Sequence, residues 1–231
     1  MTKHPGARKI HHDAHEDPDD LFLARVLHLG KWSRANQQLL SVISVVAVIA
    51  VAGIVYYGNF RGQLEQQAAQ QLESVHQSIA LQDREGAKNE LITFIQRFSG
   101  TAYEGEARLL LGDLYLQTSE PQQAEVVLRD LGASPRDPIE FQGAALLGAA
   151  LEQEKRWEEA EAIYLRIADR SELDFQVHDA LRNAARMRAD RGDSAGAIEL
   201  YERILGDMEE NDVGRGVFEM RIAELKTRMN I

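Results

Sequence analysis

Apolar positions follow two regimes along this chain. From Leu39 to Tyr57 they run almost unbroken as LLSVISVVAVIAVAGIVYY, nineteen residues without a charge. Beyond Phe60 they recur three or four residues apart between polar positions, the period of a helix with one buried face. No stretch shows the strict alternation of a half-buried strand. The pattern predicts an all-α chain, one apolar helix and then helical hairpins.

The apolar run has the length of a membrane span. Nineteen residues of helix rise about 28 Å, close to the ~30 Å hydrocarbon core of a bilayer. An isolated segment in lipid can satisfy its backbone hydrogen bonds only as a helix. Trp32 stands ahead of the run, and Tyr56, Tyr57 and Phe60 close it, as in an aromatic belt. We read a single N-terminal transmembrane helix over 39–58. The rival reading is a cleaved leader, because Ala50-Val51-Ala52 has the small-x-small form of a cleavage site. Against it, 38 residues precede the run, and the apolar character continues through Ile54 and Val55.

Residues 1–18 are polar and without period, and read as a disordered cytoplasmic tail. His11, His12 and His15 belong to that solvated tail rather than to a metal site, since nothing nearby fixes their geometry. Asp19 and Asp20 can cap a juxtamembrane amphipathic helix within 19–38, with Phe22, Leu23, Val26 and Leu27 on one face.

Residues 59–231 contain an internal repeat. REGAKNELITF, SEPQQAEVVLRDL, KRWEEAEAIYLRI and GDSAGAIELYERI align on Ala87, Ala124, Ala160 and Ala197, spaced by 37, 36 and 37 residues. Four positions after each alanine stands a large side chain, Leu91, Leu128, Tyr164 or Tyr201. Three further on come Phe94, Leu131, Ile167 and Ile204. Upstream, Leu111-Gly112 and Leu147-Gly148 share one offset, with Ala184-Ala185 in the fourth repeat and Ser74-Val75 in the first. This small-and-large pattern resembles tetratricopeptide repeats, and implies an α-solenoid of about four hairpins. One hairpin cannot bury its apolar face alone, so the ends need caps. VGRGVFEMRIAELKTRM, amphipathic through Val217, Met220, Ile222 and Leu225, is expected to be the C-terminal capping helix. Gln63 to Leu81 supplies the first repeat helix, with Gly58 and Gly62 as the expected hinge.

Charge changes the picture in two ways. The formal net charge of -11 is uneven: residues 61–231 hold 20 basic and 32 acidic side chains. So acidic a domain argues against nucleic-acid partners and against adhesion to anionic lipid. Arg25, Lys31 and Arg34 precede the apolar run, whereas Arg61 is alone behind it until Arg84. By the positive-inside rule the tail is cytoplasmic and the repeat domain external, which in a bacterium is the periplasm. The chain has no cysteine, which excludes a disulfide scaffold, a thiol nucleophile and a cysteine-linked lipid anchor.

Catalytic patterns are lacking. We find no phosphate loop, nucleophile elbow, HExxH or GxGxxG. Glu158, Glu159 and Glu161 read as the solvated face of a repeat helix. His76 and His178 are single histidines without a partner at recognisable spacing. The sequence reads as no enzyme, with no cofactor, metal or small-molecule substrate expected. A solenoid instead offers a concave surface lined by the first helix of each hairpin. The repeat phase assigns to that groove Leu72, Ile79, Leu109, Asp113 and Leu116, with Arg182 and Arg186 one turn apart in the fourth repeat. The groove reading is an apolar end for extended segments and a basic end for a carboxylate. The alternative is that the leucines pack against the preceding helix and the arginines are solvated.

The whole layout also resembles the ancillary Sec-translocon subunit (YfgM-like) family. The likeness rests on GKWSRANQQLL leading into SVISVVAVIAVAGIVYY, on the repeats, and on the EMRIAELKTRMNI ending. It implies a non-enzymatic role beside the SecYEG channel, with the repeats near emerging chains and periplasmic chaperones. A scaffold or accessory subunit of another envelope complex, for cell division or outer-membrane assembly, shares the same layout.

Overall fold

The computed structural model describes residues 32–229 together with Leu27. The expected tail 1–18, the start of the expected helix from residue 19 and the terminal Ile231 lie outside the described residues. Nine long helices, and no strand, occur among the described residues. In order they are α1 (Gln37–Ala80), α2 (Arg84–Arg97), α3 (Glu104–Gln117), α4 (Pro121–Gly132) and α5 (Pro138–Gln153). Then follow α6 (Trp157–Arg170), α7 (Asp174–Asp190), α8 (Ser194–Asp207) and α9 (Arg215–Met229). The chain divides into two compact units, Met1–Phe60 and Arg61–Ile231.

Within the first unit, the described part of α1 leaves its large apolar side chains exposed, from Leu39 through Val48 and Ile54 to Tyr57. By length and composition this helix could cross a membrane. It does not end near residue 58. One continuous helix runs through Gly58 and Gly62, the positions of the expected hinge. A glycine weakens a helix by about 1 kcal/mol, and the helix-forming run QLEQQAAQQLES that follows carries the helix past both.

In the second unit the last turns of α1 pack against α2, followed by the hairpins α3–α4, α5–α6 and α7–α8, with α9 closing the stack. Local chemistry sets the helix starts. Asp83, Asp137 and Asp193 each accept a hydrogen bond at 2.9 Å, from the amides of Gly86, Glu140 and Gly196. Pro121 and Pro138 stand at first helical positions, where a missing N–H costs nothing. Two cores result. Ala68, Leu72 and Val75 of α1 pack with Leu91, Phe94 and Phe98 and with the Ala107–Leu111–Leu114 face of α3. Leu109, on another side of α3, joins the larger core that runs from α4 to Leu225.

The repeat signature marks the tightest places. Ala87, Ala124, Ala160 and Ala197 are all completely buried. A Cβ on Gly112 would lie 2.6 Å from Leu128, and one on Gly148 would lie 2.7 Å from the Tyr164 ring. The small residue of one helix therefore receives the large residue of its partner. The first helix of each hairpin ends in a left-handed residue, Gln82, Ser119, Lys155 or Gly192, with φ of 60°, 60°, 59° and 93°. Each donates to the carbonyl three residues back, and the next residue to the one five back, as in Lys155 N–H to Glu152 and Arg156 N–H to Leu151. This is the Schellman ending four times over.

A second periodic feature links the hairpins. The residue after the signature alanine is buried and paired with the turn of the following hairpin. Lys88 meets Glu120 at 2.6 Å, Glu125 meets Arg156 at 2.7 Å, and Glu161 meets Arg188 and Arg191 at 2.5 and 2.9 Å. Glu161 therefore does not belong to a solvated face, unlike its neighbours Glu158 and Glu159. In the fourth repeat the same position is Ile198, which joins the core beside α9. An apolar residue suits a junction with a cap that brings no turn of its own.

The face of α9 also differs from expectation. Ile222 and Leu225 are buried and Phe218 packs beside them, whereas Val217 and Met220 are more than half exposed. The buried stripe is 218–222–225, in helical register with Tyr201, whose ring lies 6.1 Å from that of Phe218.

Candidate interaction surface

The residues assigned to a groove separate into three environments. Leu72 and Leu109 are buried, one in each core, and present nothing to a ligand. Ile79 and Leu116 are half-buried and pack on those cores, while Asp113 accepts a hydrogen bond from Gln117 at 2.6 Å. These residues form no continuous apolar groove. Arg182 and Arg186, by contrast, are both about half exposed on α7, and they line one cleft together.

That cleft lies between α7 and α9, above Tyr201 of α8, and encloses about 310 Å³. Arg182, Asn183 and Arg186 form one side, Val217, Phe218 and Arg221 the other. Placement of α9 depends on Arg215, whose guanidinium donates to the carbonyls of Leu205 and Met208 at 2.7 and 3.0 Å and so ties the start of α9 to the end of α8. Asp179 holds Arg182 at 3.0 Å, Glu152 holds both terminal nitrogens of Arg186 at 2.6 and 2.8 Å, and Glu224 holds Arg221 at 2.7 Å. Burial raises the Tyr201 phenol above its ordinary value, and Asp190 adds to the rise, while Arg221, Arg186 and Arg182 pull against it. The three cations thus act on one spot.

Sequence reasoning missed Arg221 and Asn183, and read Tyr201 as packing alone. A signal for Arg221 existed: it follows Arg186 by 35 residues, nearly one repeat, so α9 reuses the position of a first hairpin helix. Smaller clefts flank the stack elsewhere. One of about 280 Å³ at the first hairpin has the Phe94 and Phe98 rings in its lining, with Gln71, Glu90, Thr93 and Arg97 around them.

A stack of short helical hairpins with fully buried alanines at a period of 36 or 37 residues, closed by an extra helix, defines a tetratricopeptide-type solenoid. The chain belongs to the tetratricopeptide repeat-like domain family, which matches residues 30–227. Among solved structures it is similar to the nearly identical TPR-like repeats of a putative kinesin light chain from Podosopora anserina. The TM-score is 0.57 at 16% identity, covering 71% of this chain and 87% of that one. A single-substitution variant of that same protein aligns with a TM-score of 0.56, at 16% identity, over 71% and 86% of the two chains. At this identity the likeness is one of fold. No curated protein matches the chain. A fold of this kind is typically a non-enzymatic scaffold for protein partners.

Proposed function

We propose that this protein is a membrane-anchored interaction scaffold, held by α1 as a single-pass helix with a cytoplasmic N-terminus and an external repeat domain. One observation carries the reading. The same helix that exposes Leu39 to Tyr57 contributes the buried Ala68, Leu72 and Val75 to the first repeat core. So long an exposed apolar surface is unfavourable in water by roughly 25 cal/mol per Å², and lipid removes that cost. Basic residues ahead of the span support the orientation. The resemblance of the lead-in, span and ending to the ancillary Sec-translocon subunit family supports a place beside SecYEG, close to emerging chains and periplasmic chaperones. Another envelope complex, for cell division or outer-membrane assembly, is the alternative partner set.

Lack of native cysteine makes the topology directly testable. Asp212→Cys, at an exposed position, should react with an impermeant maleimide in intact spheroplasts, and alkaline carbonate should leave the full-length chain in the membrane. Release by carbonate, or a mature form shortened at Ala52, sinks the anchor. Crosslinking in cells, followed by mild-detergent purification and mass spectrometry, should recover Sec components. Their absence, with proteins of another envelope machine recovered instead, would move the scaffold to that machine.

A further inference from the structure

We infer that the cleft between α1 and α2 takes one lysine side chain of a partner polypeptide, whose ammonium group is received by Glu90. The inference rests on the scaffold reading and names the chemistry by which the scaffold holds a partner.

The place of Glu90 in the repeat is the first observation. Three positions after the signature alanines stand Glu90, Val127, Ile163 and Leu200. The later three are apolar, Val127 packing on the first core and Ile163 and Leu200 lying in the second. Ile163 shares a cleft with Glu125 and Arg129 of the hairpin before it, so this position faces the preceding second helix. No hairpin precedes the first one among the described residues, and the same face there is a cleft of about 280 Å³. A polar residue at an open end of a solenoid serves solubility where water reaches it. Water does not reach all of Glu90. Its Oε1 accepts from the Ser78 hydroxyl at 3.0 Å, whereas Oε2 is shut away from solvent without a hydrogen-bond partner. Such a group bears the cost of desolvation with nothing in return.

The neighbouring cations are engaged elsewhere. Arg97 donates to Gln67 at 3.3 Å and lies over the Phe98 ring, 5.2 Å from its centroid. Lys88 is held by Glu85 and Glu120, each at 2.6 Å. The open oxygen of Glu90 is therefore left to a donor from outside the chain.

The lining selects the kind of donor. With Oε1 taken, a single acceptor remains, which suits a point-charge ammonium better than a guanidinium fork that pairs at two points. An ammonium has three N–H donors, and the side-chain oxygens of Gln71, Asn89 and Thr93 stand around the same cleft. Phe94 and Phe98, with ring centroids 4.8 Å apart, give the methylene stem an apolar wall and the charge a π face. The mouth is made of the exposed side chains Gln71, Asn89, Thr93 and Arg97, which turn aside to uncover Oε2. A space of about 280 Å³ is small beside ligand pockets of roughly 300–1,000 Å³, so it holds a side chain and not a helix. The acidic repeat domain attracts such a cation from a distance.

The test uses the full-length chain in non-ionic detergent micelles and fluorescein-labelled, amidated nonapeptide pools. Each pool is randomised over neutral residues around a fixed central lysine, arginine, acetyl-lysine or norleucine. Fluorescence polarisation should show the lysine pool binding about tenfold tighter than the acetyl-lysine and norleucine pools. It should also bind tighter than the arginine pool, with a preference that weakens as salt rises. Glu90→Gln keeps an acceptor for Ser78 and should abolish the preference. Glu90→Leu restores the apolar class of the other repeats, and should abolish the preference while raising the melting temperature. Equal binding of the four pools, or binding of none, overturns the proposal, as does a preference that survives Glu90→Gln. An arginine pool that binds as tightly as the lysine pool overturns it in favour of a guanidinium. A lower melting temperature for Glu90→Leu overturns it too, because the carboxyl is then already satisfied within the chain. Phosphatidylethanolamine vesicles that displace the lysine pool as well as unlabelled lysine peptide does would move the site from a protein partner to a lipid headgroup, and so overturn it. All these failures leave the crosslinked partners of the scaffold in place, whereas failure of the scaffold reading removes them whatever Glu90 does.

Discussion

Lys88 Nζ lies 2.6 Å from Glu120 Oε1, placing a buried cation at the first junction where the next two junctions place the carboxylates Glu125 and Glu161. The polarity is inverted, and the inversion makes the junctions non-interchangeable. A hairpin stacked one repeat out of register would bring Lys88 to a basic turn of the Arg156 kind. Buried like charges are costly, so the ladder selects the stacking order as well as supporting it. Glu85 adds a second carboxylate 2.6 Å from Lys88, and together the two hold its ammonium above the ordinary lysine range, Glu120 through the stronger hydrogen bond.

Reversing the first junction tests that role. Lys88→Glu should destabilise strongly, because three carboxylates would then crowd one buried position. Adding Glu120→Arg should restore much of the loss. Urea midpoints of the full-length chain in mild detergent, followed by far-ultraviolet circular dichroism, give the comparison. If the double variant is no more stable than the single one, the pair is not a specific junction contact.

The four left-handed turns yield a prediction of opposite sign. A non-glycine residue in that conformation costs about 1–2 kcal/mol, whereas glycine adds about 0.4–1 kcal/mol of unfolded-chain freedom. Strain is the larger effect. Lys155→Gly and Gln82→Gly should each stabilise by roughly 0.5–1 kcal/mol, and Gly192→Ala should destabilise by about as much. Lys155 is exposed and no side-chain contact of its own is lost, so it is the cleaner site. Calorimetric melting of the three variants decides the matter, and a lower melting temperature for Lys155→Gly sinks the argument.

Glycines elsewhere should divide by what surrounds them. Gly148→Ala drives a Cβ to 2.7 Å from the Tyr164 ring, and Gly132→Ala to 2.8 Å from the Ala144 backbone. Overpacking of this kind costs about 1–3 kcal/mol. Gly62, inside continuous α1, has nothing within 4 Å of a new Cβ. Gly62→Ala should therefore be neutral or stabilise by up to ~1 kcal/mol, since alanine is the better helix former. Were Gly62 a working hinge, the same substitution would impair partner capture while leaving melting unchanged.

These sites show what was legible in the sequence. The hairpins and their phase were, because Ala87, Ala124, Ala160 and Ala197 are small for a reason that repeats, and all four are fully buried. The left-handed turns were hidden in three cases out of four, since only Gly192 announces its conformation. Glu161 was hidden differently. It stands in a run with Glu158 and Glu159, and only the arrival of Arg188 and Arg191 from the next hairpin distinguishes it. Helical periodicity places a residue on a face, but not which neighbour covers that face. The same gap explains Leu72 and Leu109, assigned to a groove and found in the cores, and Val217, assigned to a buried stripe and found half exposed. Arg182 and Arg186 could be placed together from sequence because one turn of a helix is local, whereas Arg221 lines the same cleft from across the fold.

Acid should destabilise the repeat stack. Four carboxyls lie below their ordinary values for identifiable reasons. Hydrogen bonds from Lys88 and then Thr118 lower Glu120, Arg156 lowers Glu159, and the Gly196 amide, with help from Arg191, lowers Asp193. Burial pushes Glu104 upward, but the Gly100 amide and Arg108 together outweigh it. A depressed folded value means that the stabilisation is complete above the unfolded pKa, about 4.3 for Glu and 3.9 for Asp, and is lost as pH falls through the folded one. Lys88, raised in the folded state, keeps its contribution throughout this range and loses it only as pH rises through its elevated value. The melting temperature should hold from about pH 5 to 8 and drop steeply below about pH 4. Glu120→Gln should lower the plateau and flatten the acid limb, because one of the groups that must protonate is gone. A loss centred between about pH 6 and 7 would assign the transition to histidine instead, and these four carboxyls would then not control acid stability.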